Sequence, residues 1–168
     1  AILFAEAGSD VAFNYVRDEK AAAEVKEAVE SRGRLCLVRK ADLARREDAA
    51  ALAGAVADAW GGVDILVNNH GIWTYLEMGE GNVEAWKTTM EVNLDGVYYL
   101  TDAVVPQMKA RSKGCIINVG STAGIRGEAH HSHYAATKGA LNALTKSWSS
   151  ELAPFGIRVN CVAPGWVE

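Results

Sequence analysis

The sequence predicts an α/β fold in which a parallel sheet is covered on both faces by helices. Three observations lead there. Short runs rich in Val, Ile and Leu alternate with longer helix-like segments. Those short runs are apolar on both faces, as strands are when helices cover both sides of a sheet. The residues with unusual chemistry, Asp42, Asn68 to Gly71, Ser121 and Pro164-Gly165, each follow the end of such a run. Ligands of parallel sheets sit beyond the carboxyl ends of the strands. The 168 residues suit a single domain, 1–168, with no repeat, low-complexity stretch or linker to divide it.

Each element has a local reason. Ala1 to Ala7 is apolar on a helical period, and Gly8 stops it. Val11 to Val16 reads as a strand. Asp18 caps a helix over Glu19 to Arg32, whose Ala22, Val25, Ala28 and Val29 form one stripe, and Gly33 ends it. Leu35 to Val38 is a strand. An Ala-rich helix runs from Arg46 to Trp60 and stops at Gly61-Gly62, and Val63 to Val67 is the next strand. Asn82 caps a long helix over Val83 to Arg111, with a kink expected at Pro106. Cys115 to Val119 is a strand, followed by a loop over 120–131, a helix from Ser132 to Ala153 broken by Pro154 and Gly156, and a last strand over Ile157 to Val162.

Composition excludes several classes of function. A net charge of −4 with scattered Lys and Arg leaves no basic footprint for nucleic acid and no basic helix for a membrane surface. No apolar run reaches the ~18 residues needed to cross a bilayer, and no signal peptide opens the chain. Cys36, Cys115 and Cys161 are unclustered, each in an apolar strand-like run. They read as buried structural thiols of a cytoplasmic protein.

The chemistry gathers between Ser121 and Lys138. Tyr134 and Lys138 stand at i and i+4 in a helical segment, and therefore on one face. A free phenol holds its proton until about pH 10, and an ammonium beside it favours the ionised form. Such a pair suits proton transfer at neutral pH. Ser121 precedes the pair on the loop after a strand, where its hydroxyl can hold a carbonyl oxygen. Alone, Tyr-x-x-x-Lys is common. A loop-capping role for Ser121, a backbone-bonding role for Asn93 and a turn-capping role for Asp42 are the bland alternatives.

Taken together, the residues are similar to those of the short-chain dehydrogenase/reductase family, from end to end of the chain. The resemblance rests on Asp42-Leu43, NNHG at 68–71, Asn93 within EVNLDG, Ser121 within NVGSTAG, Tyr134 and Lys138 within YAATK, and RVNCVAPG at 158–165 with Val167 beyond. The nearest subgroup is that of 3-oxoacyl-carrier-protein reductases and glucose-dehydrogenase-like enzymes. The resemblance implies a Rossmann-type doubly wound parallel sheet binding NADP or NAD, and hydride transfer between nicotinamide and a carbonyl or secondary alcohol. It implies that Tyr134 is the general acid/base, that Lys138 lowers the Tyr pKa and bonds the nicotinamide ribose, that Ser121 orients substrate and that Asn93 holds a water on the proton path. For the cofactor it implies Asp42 and Leu43 at the adenine, Asn69 and Gly71 along the adenosine side, and Val167 at the nicotinamide amide. It further implies a homodimer or homotetramer that pairs through the long helices 83–111 and 132–153.

Departures from the family pattern sharpen the expectations. The glycine-rich turn and first strand would precede Ala1, and the substrate loop would follow Gly165. The sequence therefore reads as truncated at both ends, and the 168 residues by themselves are expected to fold poorly and to bind a dinucleotide weakly. NAD-preferring members place an acid at the end of the second strand, where this chain has Arg17. Arg17 can pair with a 2′-phosphate, so NADP is the expected cofactor. His70 stands where the family has Ala, either crowding the adenosine or pointing outward. His130, His131 and His133 lack the carboxylate or thiolate partners of a metal site and read as a loop at the substrate mouth or a subunit contact. Trp73, Tyr75 and Trp86 read as core or interface rather than as a substrate platform. Two other functions stay open: a catalytically silent nucleotide-sensing relative, and an extended-type sugar-nucleotide epimerase or dehydratase.

Overall fold

The computed structural model describes residues 1–166, so the role expected of Val167 falls outside the described residues. Five strands form in the expected order: β1 (Val11–Tyr15), β2 (Cys36–Lys40), β3 (Ile65–Asn68), β4 (Gly114–Val119) and β5 (Ile157–Val162). Every pairing is parallel. β1 pairs with β2 from Val11↔Cys36 to Tyr15↔Lys40, β3 with β4 from Ile65↔Cys115, and β4 with β5 from Gly114↔Ile157. The ladders form two groups, β1-β2 and β3-β4-β5, rather than one continuous sheet. In the doubly wound order 3-2-1-4-5-6 these five strands take every place but the one between β1 and β3.

The helices follow their local signals. They are α1 (Ile2–Glu6), α2 (Glu19–Glu30), α3 (Arg46–Trp60), α4 (Val83–Met90), α5 (Gly96–Ala110), α6 (Ala123–Arg126) and α7 (Ser132–Leu152). Asp18 caps α2 by accepting the Ala21 N–H at 2.8 Å, and Asn82 caps α4 by accepting that of Ala85 at 3.0 Å. Gly61 closes α3 in the left-handed region, at φ 76°.

Three expectations need correction. The long helix is interrupted at a π-helical turn, Glu91–Asp95, while Pro106 lies inside α5 without ending it. The reason is Asn93, at the centre of that turn, whose amide is drawn to the Ile72 backbone. The loop expected over 120–131 contains α6. β5 is not buried on both faces: Ile157 and Val159 point inward while Arg158 and Asn160 are exposed.

The core lies where α3 and α5 pack on the three-stranded ladder, with Leu52, Leu66, Val104, Met108, Ile116 and Ile157 at its centre. Each such side chain contributes about 1.5–3 kcal/mol by leaving water. A buried polar chain crosses this half. Asn68 Nδ2 on β3 donates to Asn118 Oδ1 on β4 at 2.9 Å and to Thr101 Oγ1 on α5 at 3.0 Å. Asn118 Nδ2 donates to Thr145 Oγ1 on α7 at 2.9 Å. These bonds tie α7 to the strands whose ends carry the site. Cys36, Cys115 and Cys161 are free thiols on β2, β4 and β5, half-buried rather than buried.

Candidate active site

The carboxyl ends of β3, β4 and β5 meet the first turns of α7, and most of the expected residues gather there. Lys138 is buried, and its Nζ donates to the Val119 carbonyl at the end of β4 at 2.7 Å. Burial pushes its ammonium below the ordinary lysine value, while the nearby Cys161 acts the other way. The Lys138 Nζ lies 5.8 Å from the centre of the Tyr134 ring, so the i, i+4 pair shares a face as its spacing predicts. Ser121 Oγ accepts the Ala123 N–H at 3.1 Å, which leaves its own proton free to donate outward.

Two adjoining clefts share Ser121 and Tyr134 in their walls. One continues past Lys138, Asn69, Gly71 and Gly165. The other continues past Trp73, Arg126, Glu128 and Trp166. The two hydroxyl-bearing side chains, with Trp73 and Gly165, therefore border both spaces.

Glycines permit the close approaches. A Cβ on Gly71 would lie 3.2 Å from Asn93 Oδ1 and 3.5 Å from Lys138 Nζ, so the missing side chain opens the space in front of both. A Cβ on Gly124 would collide with the backbone of Lys138 and Gly139, so α6 seats directly on the turn of α7 that carries Lys138. Asn93 is fully buried. Its Oδ1 accepts the Ile72 N–H at 2.7 Å, and its Nδ2 donates to the Ile72 carbonyl at 2.9 Å and to Thr137 Oγ1 at 3.3 Å. It pins the segment after β3 against α7.

The remaining expected residues lie elsewhere. Arg17 is exposed beyond the end of β1. Asp42 follows β2 and caps its own turn, accepting the Ala44 N–H at 3.1 Å. Neither lines the two clefts. The Leu43 side chain is buried in the core.

His70 overturns the idea of an outward ring. Its Nε2 is buried without a partner, at 2.8 Å from where a Cβ on Gly96 would stand. Burial, and then the charge of Lys138, push its pKa down to about 4. The other histidines are each engaged separately. His131 stacks on Trp73 at 4.1 Å and 7°, His130 stacks on Tyr75 at 5.0 Å, and buried His133 bonds Thr74 Oγ1 through Nε2 at 2.9 Å. Burial, followed by His131, lowers the His133 pKa. Among the described residues no group of three His, Cys, Asp or Glu converges as metal ligands would. Trp73 was expected in core or interface, yet it is 51% exposed and lines the cleft with Ser121 and Tyr134. Arg126 and Trp166 also line it. No sequence signal separates these three from ordinary surface residues, because their segments meet only in the fold.

Comparison with known proteins identifies the family. The family model described as short chain dehydrogenase matches residues 1–168, and the chain belongs to that family. An uncharacterized oxidoreductase of Thermotoga maritima is 38% identical over 168 residues, all of this chain and 66% of that protein. A 3-oxoacyl-[acyl-carrier-protein] reductase of the same organism is 36% identical over 167 residues, 99% of this chain and 68% of the relative. The chain thus spans about two thirds of the length of these relatives. The crystal structure of an NAD+-bound xylitol dehydrogenase superposes with a TM-score of 0.92 at 27% identity, covering 98% of this chain and 63% of that one. The fold is accordingly a Rossmann-type α/β fold with parallel strands.

Proposed function

We propose that the protein is an NAD(P)-dependent oxidoreductase that moves a hydride between nicotinamide and a carbonyl or secondary alcohol. The observation that carries this reading is the placement of Ser121 and Tyr134 between two clefts, with the Lys138 ammonium buried behind the phenol. The cleft past Lys138 fits a nicotinamide riboside: Gly71 leaves its floor open, and Lys138 has N–H groups beyond the one given to Val119. The bound dinucleotide supplies or accepts the hydride, which is its own chemistry. The chain's residues do the rest. Ser121 donates to the substrate oxygen and fixes its position. Tyr134 gives that oxygen a proton in reduction and removes it in oxidation. Lys138 stabilises negative charge developing on the phenol oxygen and holds the ribose. Asn93, clamped to Ile72, shapes the proton path behind Lys138, and Asn69 follows the adenosine side.

Cofactor choice belongs to the other ladder. Arg17 has no ion-pair partner among the described residues, which supports recognition of a 2′-phosphate and hence NADP. Asp42 borders the adenine edge of the same surface. Val83, Trp86 and Tyr98 form an exposed apolar face on α4 and α5, which supports pairing of copies into a dimer or tetramer. Three free thiols fit a reducing, cytoplasmic setting. Among the described residues no helix is long and apolar enough to cross a membrane.

The test is steady-state turnover of a panel of ketones, acyl thioesters and sugar nucleotides with NADPH and NADH, using the protein expressed from its own gene. Consumption of NADPH with ketones or acyl thioesters is expected. Conversion of sugar nucleotides alone would move the protein to the epimerase class, and no turnover of any carbonyl would leave the nucleotide-sensing reading.

A further inference from the structure

The substrate cleft has an unusual wall. Trp73 lies flat on His131, which fixes its plane, and its Nε1 donates to Glu128 Oε2 at 3.4 Å. Trp166 meets Trp73 edge to face, at 6.1 Å and 84°. The two indoles make a right-angled corner, with 51% of Trp73 and 82% of Trp166 exposed. Two perpendicular, partly exposed indoles present aromatic surface against which a planar apolar group can pack.

A single guanidinium stands at the other side. Arg126 ends α6, where Gly127 turns the chain with φ 78°. Because α6 seats on α7 at Gly124, the backbone that carries Arg126 is anchored beside the cleft that Ser121 and Tyr134 line. Glu128 lines the same cleft, but it is turned to the Trp73 indole and lies 3.9 Å from His131 Nδ1. Arg126 has no ion-pair partner among the described residues. Its planar fork matches a carboxylate with two parallel hydrogen bonds. One guanidinium balances one negative charge and not two, and Glu128 in the same cleft repels a dianion more than a monoanion, which favours a carboxylate over a phosphate.

We propose that Arg126 and the Trp73–Trp166 corner form the substrate-selecting end of the cleft, which takes a carbonyl or secondary alcohol carrying a planar apolar group and a carboxylate. This rests on the oxidoreductase reading above for the reacting carbon and on the wall itself for the rest of the substrate. Arg126 touches the acid, the corner holds the ring, and Ser121 and Tyr134 meet the carbonyl oxygen.

The experiment compares two probes, 4-acetylbenzoate and acetophenone, which differ by one carboxylate. kcat/KM is measured with the protein as expressed from its own gene, and binding is followed separately by saturation-transfer NMR. The native protein is expected to favour 4-acetylbenzoate by about tenfold, the size of one charge-assisted hydrogen bond. The preference should sit in KM and shrink as salt is raised. In Arg126→Ala the ratio falls toward one, and in Arg126→Lys it recovers in part. A native ratio near one, or a ratio unmoved by Arg126→Ala, overturns the proposal. Failure of the oxidoreductase reading would look different, as no turnover of either ketone with either cofactor. The NMR arm then decides alone. Carboxylate binding lost in Arg126→Ala upholds the site, and equal binding of both probes to both proteins removes it.

Discussion

The ladders β1-β2 and β3-β4-β5 share parallel geometry but are held by different physics. In the three-stranded half, the strand ends are wired together beneath the surface by Asn68, Asn118, Thr101 and Thr145. In the two-stranded half, β1 is half-buried throughout, and its surroundings are fixed by partly exposed ion pairs, Arg32 with Glu6 at 2.8 Å and Arg34 with Asp10 at 2.7 Å. Surface pairs of this kind contribute about 0–1 kcal/mol. A buried hydrogen bond left with one partner costs about 1–3 kcal/mol. The groups proposed to react sit on the half that tolerates little movement. The half proposed to recognise a cofactor phosphate would need only an exposed charge, Arg17, and is built loosely.

The sharpest way to break that contrast is at Tyr134. Tyr134→Phe removes one oxygen from the rigid half and is expected to lower kcat by about 10³-fold, with cofactor binding, followed by fluorescence titration, kept within about twofold. Normal turnover would take the acid/base role away from this residue.

His70 tests the rigid half through pH. Its pKa of about 4 lies below the ordinary 6.5. The folded chain then binds fewer protons than the unfolded chain between these values, so stability is full above about 6.5, falls as pH drops toward 4 and levels off below. The loss reaches about 3 kcal/mol at most. Urea denaturation across this range should give a flatter acid limb for His70→Ala than for the native protein. Parallel limbs would mean that the ring is not held neutral between Gly96 and Leu43.

Asn118→Ala should cost about 2 kcal/mol and lower Tm, because it leaves Asn68 and Thr145 without their shared partner. The expected companion is a lower kcat from a displaced α7. A loss of Tm with kcat untouched would show that the network holds the core but not the site. The mildest change is Arg17→Glu on the loose half. The NADPH to NADH ratio in kcat/KM should fall by about tenfold, one charge-assisted contact, without a change in Tm. An unmoved ratio would return cofactor choice to other residues.

Much of this was legible in the residues. The strand and helix bounds follow from periodicity, from the caps Asp18 and Asn82 and from the stop at Gly61, which are local effects. The Tyr134–Lys138 pair follows from helical spacing alone. Other features hid for definite reasons. The π-helical turn at Glu91–Asp95 exists because Asn93 reaches Ile72, twenty-one residues away in sequence. Pro106, the residue the sequence singles out, lies inside α5 without ending it. Trp73 read as core or interface because an indole carries a large apolar surface; it is not core, and stacking on His131 holds it at the cleft mouth. His70 looked free to turn outward, and only the packing of Leu43 and Gly96 decides that it turns in.

The sequence by itself determined the α/β alternation, the parallel pairing and the identity of the Ser, Tyr and Lys, since these depend on periodicity and short spacings. Tertiary structure alone decided which residues flank them: the Asn68–Asn118–Thr145 wiring, the inward His70, and the meeting of Trp73, Arg126 and Trp166. Each of those joins segments far apart in the chain, and their contacts are chosen by packing and burial, which no local pattern encodes.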